Sequence, residues 1–201
     1  TVEQRTLLAA SVFNPTSGML SVTQDGGENE LILGIDAQGH VTLNGVAAQD
    51  AVGSAVVATA VRSIHAAGTD HNDRIDLSAV NSSALPQISG RAITISGGVG
   101  QDTIHGSDLS DAIFGDAGND LIYGRAGNDL IRGGQDADTL NGDSGNDRLV
   151  GDQSFDVIYG GSGRDWIDGS GGTDLIFGNG GNDILEGGTS ADTIDGGAGR
   201  D

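Results

Sequence analysis

The sequence predicts an all-β protein, a right-handed parallel β-roll (a solenoid in which two nine-residue units close each coil) with a β-rich N-terminal capping region. Three observations predict it. A nine-residue period runs through residues 97–201 without insertion or deletion. Each period carries one apolar column, and the remaining positions are rich in Gly, Asp and Asn, the residues of turns. Of the 29 acidic residues 25 are Asp and only 4 are Glu, a bias that holds carboxylates close to the backbone, where a hard cation can share them with carbonyl oxygens.

Taken alone, 36 glycines, 3% aromatics and a net charge of −20 in 201 residues would describe a disordered acidic chain. The fixed period argues otherwise. The charge excludes nucleic acid, whose phosphates need a basic surface, and anionic membranes; it implies a cationic partner. Cysteine is absent, which fits an extracellular protein stapled by something other than disulfides. No apolar run reaches the roughly 18 residues of a membrane span, and the apolar stretch at residues 51–61 is too short and too central to be a span or a signal peptide. The chain starts at Thr1 and stops at the sixth residue of a repeat, so it reads as a fragment of a longer protein.

The repeat comprises eleven full units and six residues of a twelfth. Position 1 is Gly throughout: Gly97, Gly106, Gly115, Gly124, Gly133, Gly142, Gly151, Gly160, Gly169, Gly178, Gly187 and Gly196. Position 8 is Ile or Leu in all eleven units that reach it, from Ile104 to Ile194, and position 4 is Gly in eight of twelve. Such a unit makes a strand of about three residues and then a six-residue turn. Two units close one coil, so equivalent positions two units apart stack. The invariant Asp of position 6 then forms two ladders, Asp102, Asp120, Asp138, Asp156, Asp174 and Asp192 in one, Asp111, Asp129, Asp147, Asp165, Asp183 and Asp201 in the other. Rungs about 4.8 Å apart repel by roughly 3 to 4 kcal/mol per pair at an effective dielectric of 20. Cations between the coils reverse that sign. Calcium suits best, since it takes six or more oxygens, carbonyls included, in forgiving geometry, whereas magnesium resists dehydration and zinc or copper would want His or Cys.

The unit G-G-x-G-x-D-x-U-x, with these columns, resembles the RTX (repeats-in-toxin) calcium-binding nonapeptide over 105 of 201 residues. The resemblance implies a ligand set: carbonyls of positions 2 and 4 and the Asp of one unit, with carbonyls of positions 1 and 3 and the Asp two units on. The first site is then Gly98, Gly100 and Asp102 with Gly115, Ala117 and Asp120, and the last is Asn179, Gly181 and Asp183 with Gly196, Ala198 and Asp201. Between them the position 2 and 4 carbonyls come from Asp116 and Gly118, Arg125 and Gly127, Asp143 and Gly145, Gly161 and Gly163, and Ser170 and Gly172. The position 1 carbonyls come from Gly124, Gly133, Gly142, Gly151, Gly160, Gly169, Gly178 and Gly187; those of position 3 from Ala126, Gln135, Ser144, Gln153, Ser162, Gly171, Gly180 and Thr189. Most Asp residues would bridge two ions, one per oxygen. Twelve units allow ten Ca2+ sites; seven keep the full pattern, and three lose the position 4 Gly, at Leu109, Asp136 and Ser154, where the turn is expected to miss its backbone shape.

Upstream, strands are expected at 19–23, 30–35 and 40–43, separated by turns at 25–27 and 37–39. Residues 1–60 read as a β-rich cap, 61–96 as an irregular coil leading into the roll, and 97–201 as the roll itself; Asp73 and Ile75 sit at the relative places of positions 6 and 8. On the outer surface, Leu121, Tyr123, Val157, Tyr159, Leu175 and Phe177 stack into an apolar stripe, while Leu130, Arg132, Arg148, Trp166, Asp168 and Glu186 make a mixed one. The apolar stripe is expected to meet another part of the parent chain, with protein or carbohydrate as other partners.

Nothing catalytic stands out. His40, His65, His71 and His105 are scattered, and neither H-E-x-x-H nor G-x-S-x-G occurs. The resemblance implies a secreted or cell-surface module that leaves the cell unfolded by type I secretion and folds outside in calcium, as part of an exoenzyme or of an adhesive or surface-layer protein.

Overall fold

The computed structural model describes residues 10–23, 30–44, 46–47 and 55–201. Two sheets face each other across one thin core, parallel throughout the repeats and antiparallel only at their upstream ends, where Ala10–Asn14 pairs with Met19–Thr23 and Val41–Leu43 with Glu30–Ile35 and Val46–Ala47. The first contains, in spatial order, Ala10–Asn14, Met19–Thr23, Ser63–Ala67, Ile93–Val99, Asp111–Ala117, Leu130–Gln135, Arg148–Gln153, Trp166–Gly171 and Ile184–Glu186. The second runs from Val46–Ala47 through Val41–Leu43, Glu30–Ile35, Arg74–Asp76, Thr103–His105, Leu121–Tyr123, Thr139–Asn141, Val157–Ser162 and Leu175–Gly181 to Thr193–Asp195, with Ala198–Gly199 also on Leu175–Gly181. The chain alternates between sheets at every unit, so consecutive strands of one sheet come from alternate repeats.

The register is the predicted one. Ile131 pairs with Ile113 and Leu149 with Ile131 in the first sheet, and Ile122 pairs with Ile104 and Leu140 with Ile122 in the second, each pair exactly two repeats apart in sequence. The position 8 side chains from Ile104 to Ile176 are fully buried and form the inner layer. Several strands exceed the expected three residues. Asp111–Ala117 and Leu175–Gly181 reach seven, because ladder bonding continues through positions 1 to 3, where Asp116 pairs with both Gly98 and Gly134.

The expected strands Met19–Thr23 and Glu30–Ile35 are present, and the third spans Val41–Leu43, with His40 in an isolated bridge to Val57. Asp36 organises the turn at 37–39 by accepting the Gln38 and His40 amides on Oδ1 at 2.9 and 2.8 Å. The turn at 25–27 lies outside the described residues. Coil length grows upstream, where Ile95 pairs with Ala66 and Ala66 in turn with Val22, both steps longer than two repeats. The additional residues of the coil between Ala66 and Ile95 bury Leu77, Val80, Leu85 and Ile88. This end of the molecule is therefore held by an ordinary apolar core, whereas each regular coil contributes only two Ile or Leu side chains. At the other end Ile194 remains 45% exposed.

Replacing Ile122 by Ala should destabilise the calcium-loaded protein by about 2–5 kcal/mol, as for other large-to-small core changes, while Ile194→Ala should cost well under about 1 kcal/mol. Denaturant unfolding in excess calcium reads both, and equal effects would contradict the burial difference.

Candidate metal centre

The two aspartate columns stack as ladders along the two edges of the roll. Every position 6 Asp from Asp102 to Asp183 is at most 3% exposed, and Asp73 joins the first ladder below Asp102. One oxygen of each rung has a backbone partner. The amide of Asp102 donates to Oδ1 of Asp120, that of Asp120 to Asp138, and so on to Asp192, at 2.8–2.9 Å; the second ladder repeats this from Asp111 to Asp201. An Asp that bridged two cations would thus share Oδ1 with this amide.

Oδ2 is the oxygen left over. In Asp102, Asp120, Asp129, Asp138, Asp147, Asp156, Asp165, Asp174 and Asp183 it is buried without any hydrogen-bond partner. It points back at position 1 of its own unit, beside the position 1 carbonyl one coil on. A Cβ placed on Gly160 would lie 2.6 Å from Asp165 Oδ2 and 2.8 Å from the Gly178 carbonyl oxygen; one on Gly124 would lie 2.5 Å from Asp129 Oδ2 and 2.9 Å from the Gly142 oxygen. Position 1 is Gly because two acceptors crowd it. The carbonyl oxygens of position 4 point toward the next coil, where a Cβ on Gly118, Gly145 or Gly163 would collide with them. Those of Gly118, Gly127, Gly145 and Gly163 accept no hydrogen bond from the described residues. Position 3 carbonyls are partly used: those of Ala117, Gln135, Ser144, Ser162 and Gly180 accept position 4 amides at 2.8–3.2 Å, leaving one lone pair each.

Acceptors without donors, desolvated and side by side, form a surrounding that fits a hard cation. No group of three or more His, Cys, Asp or Glu side chains converges among the described residues, so the donor set is one of carbonyls with a few carboxylates, as for calcium rather than zinc. Burial is the larger cause of the raised carboxylate pKa values, which reach about 6 at Asp102, about 7 at Asp120, Asp147 and Asp156, and about 8 at Asp129 and Asp138; neighbouring carboxylates add less.

A family model for the RTX calcium-binding nonapeptide repeat matches in four copies, at residues 94–111, 105–140, 141–176 and 168–201. The chain belongs to the RTX calcium-binding repeat family. No curated protein matches the chain significantly. The RTX repeat is a structural calcium-binding module, and among the described residues no helix is long and apolar enough to cross a membrane.

The three sites without the position 4 Gly differ from the others in backbone. At Asp136 and Ser154 φ stays positive, at 71° and 78°, but departs from the 126–159° of the glycines in that column. At Leu109 the left-handed conformation is absent. The sequence reading also missed a second row of contacts. At position 5, Asn119, Asn128, Asn146 and Asn182 accept the amide of the residue one coil on, at 2.7–3.1 Å. The signal was there, as four Asn in one column. The outer apolar stripe is broken by Thr139 and Asn141, and its rings are stacked on each other, His105 on Tyr123 at 4.9 Å and Tyr159 on Phe177 at 5.1 Å. On the other sheet Arg148 lies over Trp166 and Arg132 bonds Asp152 through two nitrogens.

The folded-state pKa values lie above the unfolded value near 3.9, so the folded metal-free roll binds more protons than the unfolded chain between about pH 4 and 8. Its stability then falls as pH rises across that window. Circular dichroism in chelator should show β structure growing as pH is lowered from 8 to 5, and calcium binding should release protons near neutrality. A β signal that shrinks toward pH 5 would contradict the assignment.

Proposed function

We propose that residues 97–201 bind nine calcium ions between neighbouring coils, and that this binding drives the roll to fold as a stabilising module of a larger secreted protein. The observation that carries the reading is the set of nine buried Oδ2 atoms without partners, in the first and third to tenth units. Each has a unit two places on to complete its site, and φ remains positive at Asp136 and Ser154. The tenth pairing permitted by the period, Asp111 with Asp129, is the one left out.

Nine uncompensated carboxylate oxygens in a core of two apolar side chains per coil leave the metal-free roll short of stabilisation. Calcium supplies the missing positive charge and ties consecutive coils, so binding free energy becomes folding free energy. The regular coils of a roll built this way stay unfolded where calcium is scarce and order where it is plentiful, which suits passage out of the cell before folding. The absence of cysteine and the family membership support an extracellular setting. We read the chain as non-catalytic, its buried carboxylates being committed to the ladders, with the parent protein's other domains as its partners.

Titration with calcium at pH 7.5 should convert a largely disordered spectrum to a β spectrum in one cooperative transition, with about nine ions bound by isothermal calorimetry or native mass spectrometry. Asp147→Asn, in mid-ladder, should remove at least one ion and raise the calcium midpoint. An unchanged β spectrum in excess chelator would sink the proposal.

A further inference from the structure

The nine rungs with an unpartnered Oδ2 share a backbone feature: position 2 of their unit has positive φ, from 67° at Asp143 and Asn179 to 122° at Gly134. That conformation turns the position 2 amide away from the carboxylate. Two units lack it, residues 106–114 and the irregular unit 68–76, and in both position 2 is a hydroxyl residue, Ser107 or Thr69. There the amide turns inward. Ser107 donates its N–H to Asp111 Oδ2 at 2.7 Å, and its hydroxyl lies 2.8 and 3.0 Å from the two carboxylate oxygens. Thr69 donates its N–H to Asp73 Oδ2 at 2.6 Å and its hydroxyl at 3.0 Å.

The Oδ2 atoms have not moved. A Cβ on Gly106 would still lie 2.8 Å from Asp111 Oδ2 and 2.7 Å from the Gly124 carbonyl oxygen, as in the other units. The place is the same and its charge is met by the chain's own donors. Asp111 is satisfied completely, whereas Asp73 keeps Oδ1 buried without a partner. These two rungs are the N-terminal rungs of the two ladders, and both lie against the enlarged apolar coil. The Asp108 amide donates to the Val80 carbonyl at 2.9 Å, and Leu109, at position 4, packs on the core.

We propose that Ser107 and Thr69 replace the cation at the first rung of each ladder, so the roll starts on two metal-free rungs and its calcium sites begin one rung later, at Asp129 and Asp102. The start of the solenoid is then ordered without calcium by its apolar core and these two hydroxyl caps. It presents a finished coil edge on which calcium-dependent coils add in sequence. The unit at 106–114 thereby departs from the ligand set of its family, since its carboxylate has hydrogen-bond donors where its neighbours have none.

This rests on the calcium reading above, and the test separates the two. In the full chain, native mass spectrometry would count calcium ions in wild type, Asp111→Asn, Asp129→Asn and the double variant Ser107→Gly/Leu109→Gly, which restores the repeat consensus. Asp111→Asn should bind as many ions as wild type, Asp129→Asn at least one fewer, and the double variant one more. Loss of an ion in Asp111→Asn, or no gain in the double variant while it keeps the wild-type β spectrum, overturns the proposal. A wild type that binds no calcium instead defeats the preceding section. Hydrogen exchange in chelator gives a readout that does not depend on counting: amides of Ile93–Val99 and Thr103–His105 should exchange at least about tenfold more slowly than those of Val157–Ser162. Ser107→Ala with Thr69→Ala should reduce that difference by the share the two hydroxyls contribute, since the backbone N–H donors and the apolar core remain, and uniform exchange in wild type would also overturn the proposal.

Discussion

The structure depends on a buried carboxylate oxygen that faces a backbone carbonyl with no donor between them. Everything distinctive about the repeat follows from placing that pair at each turn. Gly is required at position 1 because the pair occupies the volume of a side chain. Asp rather than Glu is required at position 6 because only the shorter side chain can take the neighbouring coil's amide on Oδ1 and keep Oδ2 inside the turn. The raised pKa values have the same origin, with burial as their main cause and the neighbouring charges second.

That arrangement divides the molecule into two parts with different sources of stability. Of the buried apolar residues, most lie upstream of the regular repeats, in Leu20, Leu31, Val41, Val61, Leu77, Val80, Leu85 and their neighbours. There burial of apolar surface can carry folding on its own. In the roll the core is one column wide, and the neutral backbone ladders contribute modestly because water competes for the same groups. On the function proposed above, calcium supplies the remaining stabilisation as a structural component of the turns. The two hydroxyl-capped rungs lie at the junction of these parts, where one way of satisfying a carboxylate gives over to the other.

The outer surfaces are secondary to this scheme. The stacked pairs His105–Tyr123 and Tyr159–Phe177 cover their own ring faces, and Thr139 and Asn141 separate them. These pairs contribute cross-coil packing, in the way that the Asn row at position 5 contributes cross-coil hydrogen bonding.

By itself the sequence determined the nine-residue period, the two-unit coil, the two aspartate ladders, the buried Ile/Leu column and the need for positive charge, because each is a consequence of strictly local repetition. It also placed Met19–Thr23 and Glu30–Ile35 as strands through their alternation. Only the tertiary structure decided which carboxylate oxygen is free, since the donor to Oδ1 is an amide two repeats away along the chain. Only it showed that position 4 keeps a positive φ at Asp136 and Ser154 but not at Leu109, and that position 2 lacks one at Ser107 and Thr69. The longer coils upstream, from Val22 to Ala66 and from Ala66 to Ile95, were illegible for the same reason: without a period, the partner of a strand is chosen by packing across the core rather than by spacing along the chain.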